Sequence, residues 1–527
     1  MKKEYWWLIL IVIIAALLRF MYFTSAPPGL YPDEAMDGTN AQEILHTGAF
    51  KAFYPENNGR EGLFMNIQAV LLALIRQNQP WALRLPSAVF GLLTVVGLYF
   101  LAKELFKSTT MGLLSSFLIA VSYWHVTFSR IGFRAIMSPA FLVWGLYLLL
   151  KSLNQFSIFN LQSNPESQVQ NQKNNWKLEI GNWSLPILAG LVYGLGFYSY
   201  IAYRVTPLLV LIVLGYFFIK SKKQNWRKSF WVITAVFLLA AFLVALPLGM
   251  YFLKNPADFL GRTSELSVFK AASPVLAFTT NILKTAGMFT VAGDFNWRQN
   301  YAGRPELSAT VGVLFLVGLA LGLTRLFKKD FAFAVLFGWI FLAGLPVVIS
   351  NEGIPHALRS ILLIPPIIML AAYGGIVFYR WAKQVLGITD GRLLISALLI
   401  LALVGVETYM VFFELWANNP ATAGSFNNDY VEVGREINAL PNGVVKVVLV
   451  NAGGVTVPTP PAHQLPGPPM PTQTVMFLTD TFYGTEKIGD GIYYNKDKNI
   501  TYYVMPEAAD AVKTLNLSPA IHVYSLN

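Results

Sequence analysis

Two adjacent carboxylates, Asp33 and Glu34, open a polar stretch that runs from Pro27 to Glu61 and closes on Arg60 and Glu61. A carboxylate held within reach of a hydroxyl accepts its proton. An arginine binds phosphate bidentately and stays charged at physiological pH. More ionisable side chains recur further on: Arg130 and Arg134 in FSRIGFR, Arg204 in YSYIAYRVTP beside Tyr200 and Tyr203, Asp294, Arg298 and Arg304 in GDFNWRQNYAGR, and His356 and Arg359 in IPHALRS. A base for a hydroxyl, with arginines for a departing phosphate, is the set that moves a group from a phosphate carrier to an acceptor. Each residue also has a plainer use. Asp33 and Glu34 suit the start of a helix, Arg130 and Arg134 suit snorkelling at a membrane edge, and His356 suits a structural role.

The elements that must hold these groups are membrane helices. The 527 residues are 55% hydrophobic and 13% charged, with a mean hydropathy of +0.50. Continuous apolar runs of bilayer length exclude a β-barrel, which alternates. We read eleven spans, at about 5–23, 82–102, 109–128, 136–151, 184–200, 205–219, 230–252, 307–324, 331–350, 359–379 and 393–413. The first is read as a retained helix and not a cleaved signal. Residues 62–76 form an apolar segment too short to span, broken by Asn66 and Gln68. It is read as interfacial or re-entrant.

With Lys2 and Lys3 in the cytoplasm, the connections KSKKQNWRK and RLFKK fall on the same side, as the positive-inside rule requires. The chemistry-bearing residues then share the outward face. They are expected to meet in one polar cavity lined by Glu61, Arg130, Arg134, Tyr200, Tyr203, Asp294 and Arg298. The expected organisation is a membrane domain over 1–413, with outward loops at 24–61 and 253–306, and an outward α/β domain over 414–527. In that last domain we read a helix Tyr430–Leu440, strands Val444–Val450 and Thr474–Leu478, a Pro-rich arm Val457–Pro471 and a late helix Pro506–Leu515. The insert 154–182, rich in Gln, Asn and Ser, reads as disordered.

The formal charge is +11, yet residues 414–527 hold six basic and ten acidic side chains. The basic excess therefore lies in the membrane part, where it sets topology and does not make a nucleic-acid face. The chain has no cysteine and five scattered histidines. A metal-independent reaction is favoured, with a divalent metal left open. An outward phosphate site beside an apolar groove suits a lipid-phosphate-linked donor. A transporter of such a lipid is the rival, but repeats and midplane charges, which a transporter would show, are not seen.

The ordered series of NGREGLF at Asn58–Phe64, WALRLPSAVFGLLTVVGLYFLAKELF at Trp81–Phe106, FSRIGFRAIMSP at Phe128–Pro139, YSYIAYRVTPL at Tyr198–Leu208 and IPHALRSILLIPP at Ile354–Pro366 resembles the GT-C glycosyltransferases. More narrowly it resembles the protein O-mannosyltransferase and aminoarabinose-transferase-like superfamily, over residues 1–415. The resemblance implies a polyprenyl-phosphate-sugar donor, an inverting transfer on the outward face of the cell membrane, and a protein, lipid or glycan acceptor. Oligosaccharide transfer or glycan polymerisation on the same fold stays open. It places the catalytic base at Asp33, supported by Glu34. Arg60 takes the place of the basic residue in a Gly-Lys-Pro-Pro-Leu-like element that contacts the carrier phosphate, although Glu61 and Gly62 replace the two prolines. Arg204 and Arg359 match outward basic positions, and His356 would orient the phosphate.

Overall fold

The computed structural model describes residues 3–162, 183–259, 267–350, 353–387, 389–463, 465–515 and 521–527; most of the insert read as disordered lies outside them. Two compact units result. A helical unit takes Met1–Met21, Ser87–Ser129 and Arg134–Phe412, and an α/β unit takes Tyr22–Pro86, Arg130–Phe133 and Phe413–Asn527. The first polar loop thus belongs with the C-terminal segment, not with the membrane domain that the sequence reading gave it.

Among the described residues, eight helices are long and apolar enough to cross a membrane: Pro80–Phe106, Arg134–Gln155, Ile201–Lys223, Arg227–Lys254, Ala309–Phe327, Phe331–Val348, Ile361–Leu386 and Asp390–Trp416. Their outer faces stay apolar, as with Leu239, Phe242 and Leu243. That is the pattern of helices solvated by lipid. The other three expected spans correspond to shorter or more charged helices. Lys3–Phe20 carries Lys3, Glu4 and Arg19, while Thr109–Ala120 and Ser184–Leu195 have 12 residues each. Helices Ala309–Phe327 and Ile364–Leu386 approach closely because neither has a side chain at the crossing. A Cβ on Gly318 would lie 1.9 Å from the Leu370 carbonyl oxygen, and one on Gly374 1.9 Å from that of Leu314. Small residues let membrane helices touch through their backbones.

The α/β unit is built on a five-stranded sheet in the order Thr485–Gly489, Ile492–Asn495, Ile500–Val504, Val445–Val450, Ile521–Leu526. The first three strands run antiparallel to one another, and Val445–Val450 runs parallel to both its neighbours. Its register sets Val448 opposite Tyr502 and Tyr524. Val448, Val450, Ile500 and Tyr502 bury against Tyr430 and Ile437 of helix Asn428–Ala439, against Val475 and Met476, and against Met36 of the first polar stretch.

The run expected to be a strand at Thr474–Leu478 is instead the helix Gln473–Thr479, all seven residues of it buried. A short, wholly buried apolar run looks the same to either periodicity. It is helical because it packs side-on to helix Pro32–Thr47. A Cβ on Gly38 would sit 2.7 Å from the Phe477 ring, and Gln42 Nε2 donates to the Phe477 carbonyl at 2.8 Å. The expected late helix shrinks to Ala509–Lys513.

Candidate active site

Helix Pro32–Thr47 starts where Pro32 fixes φ at its first turn, and it stops at Gly48, whose φ of 69° is left-handed. Glu34, in its first turn, accepts the Tyr31 N–H at 3.2 Å. Most of the helix is buried although its sequence is polar: Asp37, Thr39, Asn40, Gln42 and Glu43 are all enclosed. Buried polar side chains need partners: Thr39 finds Gln473, Gln42 the Phe477 carbonyl and Glu43 Lys51, while Asp37 and Asn40 are met by the hairpin in which Phe53–Tyr54 pairs with Arg60–Glu61. Asp33, Asp37 and Asn40 recur at helical spacing and line one face. Arg60 lays its guanidinium along that face, donating from Nη1 to Asp37 Oδ1 and from Nη2 to Asn40 Oδ1, each at 2.6 Å.

Arg60 is therefore not a phosphate ligand in waiting. It is only 3% exposed, and its charge is matched by Asp37 at contact distance. Glu34 is likewise committed. It is wholly buried and takes Arg84 Nε and Nη2 at 3.0 Å each, together with the Gly132 N–H. Arg84 completes its fork on the carbonyls of Pro27 and Gly29, at 2.6 and 2.8 Å. Glu34 thus pins the chain that leads into the helix. Glu61 is enclosed at 2% exposure.

Asp33 differs from both. It is half-buried, and Asn57 Nδ2 donates to its Oδ1 at 2.8 Å. One hydrogen bond aims the carboxylate without using up its acceptor capacity. Of the two neighbouring acids, Asp33 alone has both a fixed direction and solvent access.

Arg130, in the same unit, is fully buried. It donates to the carbonyls of Tyr22 and Ala26 at 3.2 and 2.8 Å and lies over the rings of Phe23 and Phe413. It ties down backbone and does not line an open cavity.

In the helical unit a second group forms around Asp294. Its Oδ2 accepts the Ala357 N–H and its Oδ1 the Asn296 N–H, both at 2.8 Å, and His356 Nδ1 stands 3.9 Å from Oδ2. Gln299 accepts the Leu358 N–H at 3.1 Å, so two loops distant in sequence are stitched together. Burial pushes the Asp294 carboxyl up to about 6, although the two N–H groups, Arg298 and Arg359 pull the other way. Burial also raises Glu306 well above the usual carboxylate range, although the N–H that it accepts from Asp294 pulls the other way. Arg359, nearly buried, donates to Ser350 Oγ.

The structure thus brings Asp294, Arg298, His356 and Arg359 into one cluster within the helical unit. Arg204 lies in the 3-10 turn Ile201–Val205 of the same unit. It is stacked between Phe252 and Phe259 at 4.8 and 4.6 Å and donates to the Phe259 carbonyl. Tyr203 is buried and donates to the Tyr193 carbonyl at 3.1 Å, Tyr200 is buried, and Arg134 is half-buried in a short 3-10 turn.

Sequence reasoning missed Asp37, Asn40, Asn57, Arg84 and Glu306. Arg84 had a signal: an arginine at the start of an apolar run is costly unless it is paired. Among the described residues, no three His, Asp or Glu side chains are grouped to hold a metal ion.

The family described as dolichyl-phosphate-mannose-protein mannosyltransferase matches residues 63–159. No curated protein sequence matches the chain. Among solved structures, ArnT from Cupriavidus metallidurans bound to undecaprenyl phosphate is similar, with 12% identity and a TM-score of 0.55, over 90% of this chain and 84% of that one. The Archaeoglobus fulgidus oligosaccharyltransferase AglB, in complex with an inhibitory peptide and a dolichol-phosphate, is similar at 14% identity and a TM-score of 0.50. That match covers 85% of this chain but 62% of AglB, so the chain spans under two thirds of that relative.

Proposed function

We propose, from the GT-C fold that this multi-pass membrane protein shares with ArnT and AglB, that it is a glycosyltransferase using a polyprenyl-phosphate-linked sugar. The observation that carries the mechanism is the state of Asp33: a half-buried carboxylate at the head of a rigid, buried helix, aimed by one hydrogen bond. In the reaction Asp33 takes the proton of an acceptor hydroxyl. The acceptor oxygen bonds to the anomeric carbon from the face opposite the phosphate. The carbon–oxygen bond to phosphate breaks, and the polyprenyl phosphate leaves with the electron pair. Attack from the far face inverts the anomeric configuration.

Within the helical unit, Arg298 and Arg359, the latter beside His356, are assigned as a group able to bind an anion. Arg60 is withdrawn from that role because Asp37 neutralises it. Arg204, stacked on two rings, is assigned to a wall. The transfer is placed on the extracytoplasmic face, where the charge distribution of the connections puts Asp33, with the N-terminus cytoplasmic. The acceptor is a protein, lipid or glycan. AglB in complex with a dolichol-phosphate and ArnT bound to undecaprenyl phosphate support the donor class. The reaction is assigned no metal, so activity should survive chelation; loss with EDTA and return with a divalent ion would reverse that.

The test uses a deletion strain complemented with wild type or Asp33→Asn, read by mass spectrometry of its glycoconjugates. Wild type restores a product that Asp33→Asn does not, while purified Asp33→Asn still binds undecaprenyl phosphate. A product from the variant removes Asp33 from the mechanism.

A further inference from the structure

The helix Pro274–Gly287 lies in the segment read as the outward loop 253–306, and its polarity is inside out. The side chains that it buries are Asn281 and Thr285. Those that it shows to the outside are Val275 at 80%, Leu276 at 68%, Ile282 at 43% and Leu283 at 68% exposure. A helix in water turns its apolar stripe inward. This one turns it outward, so the phase it faces is apolar.

Its level is fixed at two points, one before the helix and one at its middle. Val268 donates to the Ile349 carbonyl at 2.7 Å, within a bridge of Ser267 to Ser350. Asn281 Nδ2 donates to the carbonyls of Val348 and Ser350 at 3.0 and 2.7 Å. Those acceptors are the last turn of the membrane-spanning helix Phe331–Val348 and the residues just after it. The helix therefore lies across the end of a span, where hydrocarbon gives way to headgroups. Its 14 residues are too few to cross a bilayer. Phe269, Val291 and Phe295, at 65–75% exposure, extend the apolar surface on either side. Residues 267–293 contain two lysines, Lys270 and Lys284, and no acid. Lysines beside an apolar face, with no acid to balance them, match a surface of anionic headgroups over acyl chains.

We infer that Pro274–Gly287 is a membrane-seated helix that sinks Val275, Leu276, Ile282 and Leu283 into the lipid boundary and sets Lys270 and Lys284 against anionic headgroups. The outer wall of this segment is then lipid and not water.

The absence of native cysteine allows a direct test. Leu283→Cys, Leu243→Cys in span Arg227–Lys254 and Asp490→Cys in the C-terminal region are each spin-labelled in the full chain. They are reconstituted in phosphatidylcholine vesicles containing phosphatidylglycerol. Collision with oxygen and with a water-soluble nickel complex is measured by EPR. The label at 283 should follow that at 243, with oxygen exceeding nickel, and oppose that at 490. Nickel access equal to the label at 490 overturns the inference. A label at 283 hidden from both reagents also overturns it and indicates a second copy of the chain on that face. With Lys270→Gln and Lys284→Gln added, the label at 283 should move toward water only in vesicles containing phosphatidylglycerol. No shift would overturn the headgroup contact.

Discussion

Asp33 and Glu34 are neighbours with opposite roles, and substitution separates them. Glu34→Gln keeps the side chain's size but replaces an acceptor oxygen by an amide donor. Glu34 accepts from two nitrogens of Arg84, from the Gly132 N–H and from the Tyr31 N–H, in a site closed to water. The new amide must point at one of these donors, and the Arg84 charge loses its counter-ion. Breaking one side of a buried ion pair costs about 3–5 kcal/mol.

Spread over an α/β unit of this size, that lowers the apparent unfolding midpoint by about 10 °C at roughly 2–4 °C per kcal/mol. Glu34→Gln with Arg84→Met removes both charges and should recover part of the loss. Asp33→Asn breaks one exposed-side hydrogen bond, from Asn57, and should shift the midpoint by under about 3 °C, in keeping with a net cost near 1 kcal/mol. Its sugar transfer should nevertheless disappear. The assay is fluorescence-detected thermal unfolding in detergent, run beside product detection. The reasoning is refuted if Glu34→Gln unfolds like wild type, or if Asp33→Asn unfolds as early as Glu34→Gln.

Asp37→Ala should destabilise the protein by about 3 kcal/mol by stranding Arg60, and adding Arg60→Met should restore much of it; a thermal double-mutant cycle measures the coupling. Asp294 holds its proton more tightly when folded, up to about 6 against an ordinary 3.8, so folding stability falls as pH rises from about 4 to 6. Asp294→Asn should flatten that slope, worth about 3 kcal/mol across the window, in unfolding midpoints taken at pH 4, 5 and 6. Gly374→Leu should force apart the helices Ala309–Phe327 and Ile364–Leu386, lowering the midpoint and the yield of monodisperse protein on size exclusion.

How much was legible in the sequence depends on whether the signal was local. Continuous apolar runs gave the long spans, because lipid demands them residue by residue. The charged face of Pro32–Thr47 was legible as a polar stretch, while Asp294 and His356 were each singled out without being paired with one another. The partners of Arg60 and Glu34 were not. Asp37 and Asn40 look like any helix surface until a hairpin from beyond position 50 closes over them. The sheet was read only at Val445–Val450. Asp490-Gly491, which joins Thr485–Gly489 to Ile492–Asn495, is a turn signal that was passed over. Thr474–Leu478 failed for a different cause: its burial by Gly38 and Gln42 is a tertiary fact that no window of sequence contains.

The α/β unit is assembled from widely separated stretches of chain, and this orders events during biosynthesis. Leu30 holds Thr474, and Thr39 holds Gln473, more than 430 positions later. As the ribosome works from the N-terminus, the segment carrying Asp33 emerges early and waits. Met36 has no core to enter until the sheet strands are made, and the last of those is Ile521–Leu526. A nascent or truncated chain lacking that end carries Asp33 on an unsupported helix. Asp33, the proposed base, is therefore translated early and set in place late, so on that proposal an unfinished copy would not act on the membrane it is entering.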